Sequence, residues 1–183
     1  MQIERAFGTF KVWDRLVRIL HWLLVILLLL SWLSRHSGIA VHEALGYAAL
    51  AVAGVRIAWG VFGSRYARFK EFVRSPAATF AYARDVASGK APRYLGHNPL
   101  GGWMILALLV TTLSICLSDS LNTTDAYWGV EWVANLHESM VYLLIALIAL
   151  HVAGVAFSSW RHRENLLVAM LTGKKRIDRD HVS

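Results

Sequence analysis

Four long apolar runs constrain this chain more than any other feature. Each approaches the ~20 residues that a helix needs to cross the hydrocarbon of a bilayer. The first lies between Arg18 and Arg35 and contains no Lys, Arg, Asp or Glu. Trp13 and Trp32 sit near its ends, where interfacial aromatics and a snorkelling Arg18 can extend it to a full span. The second covers residues 44–63, interrupted only by Arg56, and the third covers residues 99–118. The fourth covers residues 139–160, with His151 in its middle. With 56% of residues hydrophobic and 17% charged, the chain falls below the roughly 25% charge usual for soluble domains. The expectation is an all-α membrane protein, a bundle of four transmembrane helices over about 16–34, 42–63, 99–118 and 137–160. Residues 1–183 then form one membrane-embedded domain.

Charge placement sets the orientation. The segment 64–98 carries Arg65, Arg68, Lys70, Arg74, Arg84, Lys90 and Arg93. The arm up to Arg18 and the tail from Arg161 are basic too. The connection 34–41 has only Arg35, and the connection 119–136 has Asp119, Asp125 and Glu131 with no Lys or Arg. By the positive-inside rule, both termini and the middle segment face the cytoplasm. The net charge of +7 therefore reads as a topology signal rather than a nucleic-acid surface. Ser75-Pro76 is a helix start signal, and Phe80, Tyr82 and Val86 precede Gly89, so the middle segment is expected to hold an interfacial helix. The single cysteine, Cys116, excludes an internal disulfide and reads as a small packed hydrophobe. There is no Cys-x-x-Cys-His for covalent haem attachment. The N-terminal run lacks a small-residue cleavage pattern and is not expected to be a cleaved signal peptide.

Polar groups inside a span are costly and need a reason. His21, His42, His137 and His151 lie in or at the ends of spans. His137 and His151 are fourteen residues apart, which on a helix is a net rotation of about 40° and a rise of about 21 Å. One helix thus presents two imidazoles on nearly one face, toward opposite sides of the membrane. Orientation supplies their partners. The second helix enters from outside with His42 at its start, and the first enters from inside with His21 near its start. His42 pairs with His137 at the outer level, and His21 with His151 at the inner level. Two imidazoles per level suit the axial positions of an electron-transfer haem, whereas zinc prefers four ligands in a tetrahedron.

Arg56 lies fourteen residues after His42, on the same face but at the inner level. It is a candidate partner for a haem propionate, or it snorkels to the inner interface. Arg18 and Arg15 are further candidates beside His21. Gly46, Gly54 and Gly154 suit close approach of a macrocycle or ordinary helix packing. His97 is the other candidate ligand at the inner level. His36 belongs to the outer connection, His162 to the basic tail, and His181 to the terminus.

Trp13-Asp14-Arg15 with His21-Trp22, His42-Glu43 with Gly46-Tyr47, and Arg56 with Trp59-Gly60 resemble the bacterial cytochrome b-561 and nickel-dependent hydrogenase b-type cytochrome family. So do His97-Asn98-Pro99 with Gly101-Gly102, His137-Glu138 with His151, and Asn165-Leu166-Leu167. The resemblance covers essentially the whole chain. It implies a four-helix cytochrome b of the bacterial cytoplasmic membrane with two haem b groups, with axial histidines matching His21, His42, His137 and His151. It also implies electron transfer between the quinone pool and a partner outside the membrane. Family members serve as partners of c-type cytochromes, as hydrogenase anchors, or as quinone-linked oxidases of superoxide. The leading expectation is an electron-transfer subunit with a periplasmic partner such as a c-type cytochrome, whose basic surface the outer acids suit. The alternatives are a stand-alone superoxide:quinone oxidoreductase, a hydrogenase anchor, and a haem-free scaffold or transporter with histidine proton relays. Trp13, Trp59 and the His97 segment are candidates for a quinone pocket near the inner surface.

Overall fold

The computed structural model describes residues 7–36 and 38–178. A short strand, β1 (Phe7–Lys11), leads into α1 (Arg15–Ser34) and α2 (Ile39–Phe62). A 3-10 turn (Arg65–Ala67), the single-turn α3 (Phe69–Phe72) and α4 (Pro76–Ala87) follow. The long α5 (Pro99–Asn122) and α6 (Glu131–His162) come next, and α7 (Leu166–Thr172) and β2 (Lys174–Asp178) close the chain. α1, α2, α5 and α6 are each long and apolar enough to cross a bilayer. Their flanks expose large apolar side chains such as Leu29, Val110, Leu150 and Trp160. In water that surface would be costly, but against lipid it is the ordinary exterior of a spanning helix.

The local chemistry of each start is legible. Asp14 caps α1 by accepting from the Val17 amide at 2.8 Å, Ser75 caps α4, and Asn98 caps α5 by accepting from the Gly101 amide at 2.7 Å. Pro76 and Pro99 stand at first helical positions, where a missing amide hydrogen costs nothing. α6 starts at Glu131 rather than near 137, and α5 runs past Ser118 to Asn122. Asp119, expected in the outer connection, is therefore inside a helix. Its position on the last turns of α5 puts its carboxylate within the bundle's reach.

α1 packs along α2, and α5 along α6; α2 and α5 join the two pairs. α6 has no comparable packing against α1 or α2. Only Val133 and Leu144 are buried among the residues of α6. A slot therefore runs between α6 and the α1–α2 pair, and the histidines face across it.

One end of the bundle carries a cap that sequence periodicity did not reveal. β1 and β2 pair antiparallel, Phe7 opposite Asp178 and Lys11 opposite Lys174. The amides of Val12 and Trp13 donate to the Gly173 carbonyl at 2.9 and 3.2 Å. Gly173 has φ +81°, and a Cβ there would lie 2.6 Å from the Trp13 carbonyl oxygen and 2.8 Å from the Arg18 guanidinium. Only glycine meets both demands. The pairing places both ends of the described chain at the same end of the bundle. The middle segment joins them there, through Ser64 donating to Asp14 and Arg161 to the Val86 carbonyl at 3.4 Å.

Candidate functional site

The slot is bridged at two levels. The rings of His21 (α1) and His151 (α6) have centroids 6.5 Å apart with an interplanar angle of 56°. The rings of His42 (α2) and His137 (α6) are 6.3 Å apart at 70°. Two imidazoles on opposite faces of one metal, each bound at about 2 Å through a nitrogen about 1 Å from its ring centre, hold their centroids roughly 6 Å apart. Both pairs have that spacing. A planar macrocycle fits between rings so placed, and α6 packs little against α1 and α2. The donor set and the spacing fit haem at both levels.

The outer rings are oriented by backbone. His42 Nδ1 lies 3.0 Å from the Ser31 carbonyl oxygen of α1. His137 Nδ1 lies 3.2 Å from the Ile115 carbonyl oxygen and 3.3 Å from Ser118 Oγ on α5. A carbonyl only accepts, so it selects the tautomer with a proton on Nδ1 and leaves Nε2 as the free lone pair. Ligating histidines are held this way, which fixes the ring and raises its basicity. The Ser118 hydroxyl in turn donates to the Ile115 carbonyl at 2.9 Å.

A third group joins the outer pair. His42, Asp119 and His137 place ligand atoms within 4.8 Å of one another. Gly46 lies one turn beyond His42, and a Cβ there would meet Asp119 Oδ2 at 3.4 Å. An outer cleft lined in part by Arg35, His36, Glu43, Asp119 and Trp128 leads to His42. Asp119 was not read from the sequence as part of the site. The available signal was its place at the end of an apolar run, where an acid is costly without a partner.

The inner pair has different neighbours. Arg56 is 6% exposed. Its guanidinium lies 5.6 Å from the centre of the Phe69 ring and donates to the Ala67 carbonyl at a long 3.5 Å. It is close enough to act electrostatically on His21 and His97. Asp14 is the acid facing Arg56. Burial pushes the Asp14 carboxyl up, but hydrogen bonds from Ser64, Val17 and Trp59 outweigh it and hold the group below its ordinary range. Arg18 donates to the Thr172 carbonyl at 3.1 Å. Its Nε, Trp22 Nε1 and His97 Nδ1 are shielded from solvent without a hydrogen-bond partner. The orphaned donors of Arg18 and Trp22, on the same helix as His21, suit the carboxylates of a bound group.

The remaining sequence candidates fall elsewhere. His97 stacks between Trp13 (4.4 Å) and Phe72 (4.8 Å) and does not join the inner ring pair. Burial first, then Arg56 and Lys175, pushes its pKa down from 6.5 to about 3. His162 ends α6, and His181 lies outside the described residues. At Gly54 and Gly154 an added Cβ would meet nothing within 4 Å.

No individual curated protein matches the chain. The family model for prokaryotic cytochrome b561 matches residues 12–173. That stretch holds all four spans and all four paired histidines, so the chain belongs to the prokaryotic cytochrome b561 family of membrane-spanning, haem b-binding electron-transfer proteins.

Proposed function

We propose that the chain holds two b-type haems, one between His21 and His151 at the cytoplasmic level and one between His42 and His137 at the periplasmic level. It would pass electrons between a periplasmic redox protein, such as a c-type cytochrome, and the membrane quinone pool. The observation that carries this reading is the near-equal ring spacing of the two pairs, 6.5 and 6.3 Å, at two depths of one slot. A haem held between the two histidines of either level would supply one-electron chemistry, and the histidine pair would leave no open site for oxygen.

The protein's residues supply ligation, orientation and charge. Ser31 and Ile115 carbonyls aim the outer imidazoles. Arg56 and Arg18 supply cationic partners for propionates at the inner level, and Trp22 Nε1 adds a neutral donor. The basic middle segment and tail support an orientation with both termini, and the cap with them, on the cytoplasmic side of a bacterial membrane. Trp13, Trp59 and the His97 segment lie in that cap, which makes it the reading's quinone side.

The outer cleft favours a protein partner over superoxide. Arg35 would attract a small anion, but it stacks on Trp32 at 4.1 Å and donates to the Trp32 carbonyl at 2.7 Å. Glu43 and Asp119 line the same cleft and repel an anion.

An optical spectrum of the purified protein, oxidised and dithionite-reduced, with a pyridine haemochrome count, tests the reading. Two low-spin b haems per chain are expected. Zinc in place of haem at the outer His42, Asp119, His137 set would overturn it, as would one haem with a high-spin signal.

A further inference from the structure

The two imidazole pairs sit in opposite electrostatic surroundings. A carboxylate stands beside the outer pair, with Asp119 placing an oxygen within 4.8 Å of a ring nitrogen of each histidine. The cation that lines the same cleft, Arg35, is engaged by Trp32. A guanidinium acts on one histidine of the inner pair. Arg56 is buried, weakly bonded and within electrostatic reach of His21. Its facing acid, Asp14, is already engaged by Val17, Trp59 and Ser64.

An oxidised haem b carries one more positive charge than a reduced one. A fixed anion nearby stabilises the oxidised form and lowers the potential, and a fixed cation does the reverse. Both effects are strengthened in a low-dielectric membrane interior.

We infer that Asp119 and Arg56 set a potential step across the membrane, low at the outer site and high at the inner site, which drives electrons inward. One electron leaves the outer site and arrives at the inner site; the first is oxidised by one, the second reduced by one, and no bond or proton changes. The periplasmic redox protein is the reductant and a quinone the oxidant. This rests on the two-haem reading above and adds to it the direction of flow and the residues that set it.

Redox titration of the purified holoprotein, followed by optical and low-temperature EPR spectra, tests it. The intact protein should titrate as two separated one-electron steps. Asp119→Asn should raise the lower potential by at least a tenfold gain in electron affinity, about 59 mV for one electron. It should leave the upper potential in place. Arg56→Gln should lower the upper potential and narrow the gap, while Arg56→Lys, which keeps the charge, should hold it. If Asp119→Asn loses the outer haem, Asp119→Glu keeps the test open: it should bind both haems at the intact protein's potentials. Asp119→Asn moving neither potential, or moving the upper one, overturns the inference. So does Asp119→Glu binding both haems at altered potentials. Fewer than two low-spin haems in the intact protein would instead sink the two-haem reading itself.

Discussion

The outer and inner histidine pairs have nearly the same ring spacing but are held in place by different means. The outer rings are fixed from behind, each by a backbone carbonyl of a neighbouring helix, Ser31 of α1 or Ile115 of α5. The inner rings lie instead toward a cap of charged and aromatic groups, where Arg56 and a His97 packed on Trp13 act on them electrostatically. The contrast separates two ways of building a site in a membrane. At the outer level helix backbones, which are rigid, set the orientation. At the inner level the order is expected to depend on a cap that joins both ends of the described chain and the middle segment.

The largest effect should come from the ligands themselves. His137→Ala and His151→Ala should each leave one haem of the two proposed, read by pyridine haemochrome. The comparison predicts a difference between them. The His151→Ala protein should keep a normal outer EPR signal, because α5 and α1 still orient the outer rings. Loss of both haems from either variant would show that the levels do not form independently.

Asp14→Ala should come next. Asp14 caps α1 and accepts from Val17, Trp59 and Ser64, so its loss removes a cap and strands two half-buried donors. The expected cost is on the order of 2 kcal/mol, seen as a lower Tm in detergent. The inner haem signal should broaden and the outer one should not. Equal disturbance of both signals would break the distinction between cap-held and backbone-held pairs.

His97 gives a pH-dependent version of the same test. Its folded pKa, about 3, lies below the ordinary 6.5. Between those values the unfolded chain binds a proton that the folded chain refuses, so stability falls as pH drops from 6.5 toward 3. Above 6.5 this group contributes no slope. His97→Gln should flatten the dependence of Tm on pH across that window, and the inner haem signal should become less acid-sensitive. An unchanged slope would mean that His97 is not the group refusing the proton.

How much of this was legible in the sequence follows from what each feature costs. Uninterrupted apolar runs can only be solvated by lipid, so the four spans could be read directly, and a histidine such as His151 in mid-span stood out for its expense. Helix period then paired the levels. The cap could not be read that way. β1 and β2 are five residues each, lie at opposite ends of the chain and carry little alternation. Their pairing is set by tertiary contacts around Gly173 rather than by local pattern. The polar ends of α5 and α6 looked like a loop because Asp119 and Glu131 are charged, although a helix emerging from the membrane tolerates both. Asp119 beside the outer rings was missed for that reason. The carbonyls of Ser31 and Ile115 were illegible in principle, since every residue has one and only the fold selects which faces an imidazole.

The smallest effect tests whether backbone alone suffices at the outer level. Ser118 is 2% exposed, and its hydroxyl lies between the Ile115 carbonyl and His137 Nδ1, 2.9 and 3.3 Å away. Ser118→Ala removes that hydroxyl and leaves the Ile115 carbonyl 3.2 Å from the same nitrogen. The tautomer of His137 is therefore still selected. Outer-shell partners of ligating histidines are typically worth about 10–100-fold in affinity. With one of two partners retained, the change in outer haem affinity should be at or below the low end of that range. The EPR signal of the outer haem should move slightly and the inner one not at all. A loss of outer haem comparable to that of His137→Ala would mean that the hydroxyl, not the carbonyl, orients the ring, and the outer pair would then depend on a side chain as the inner pair does.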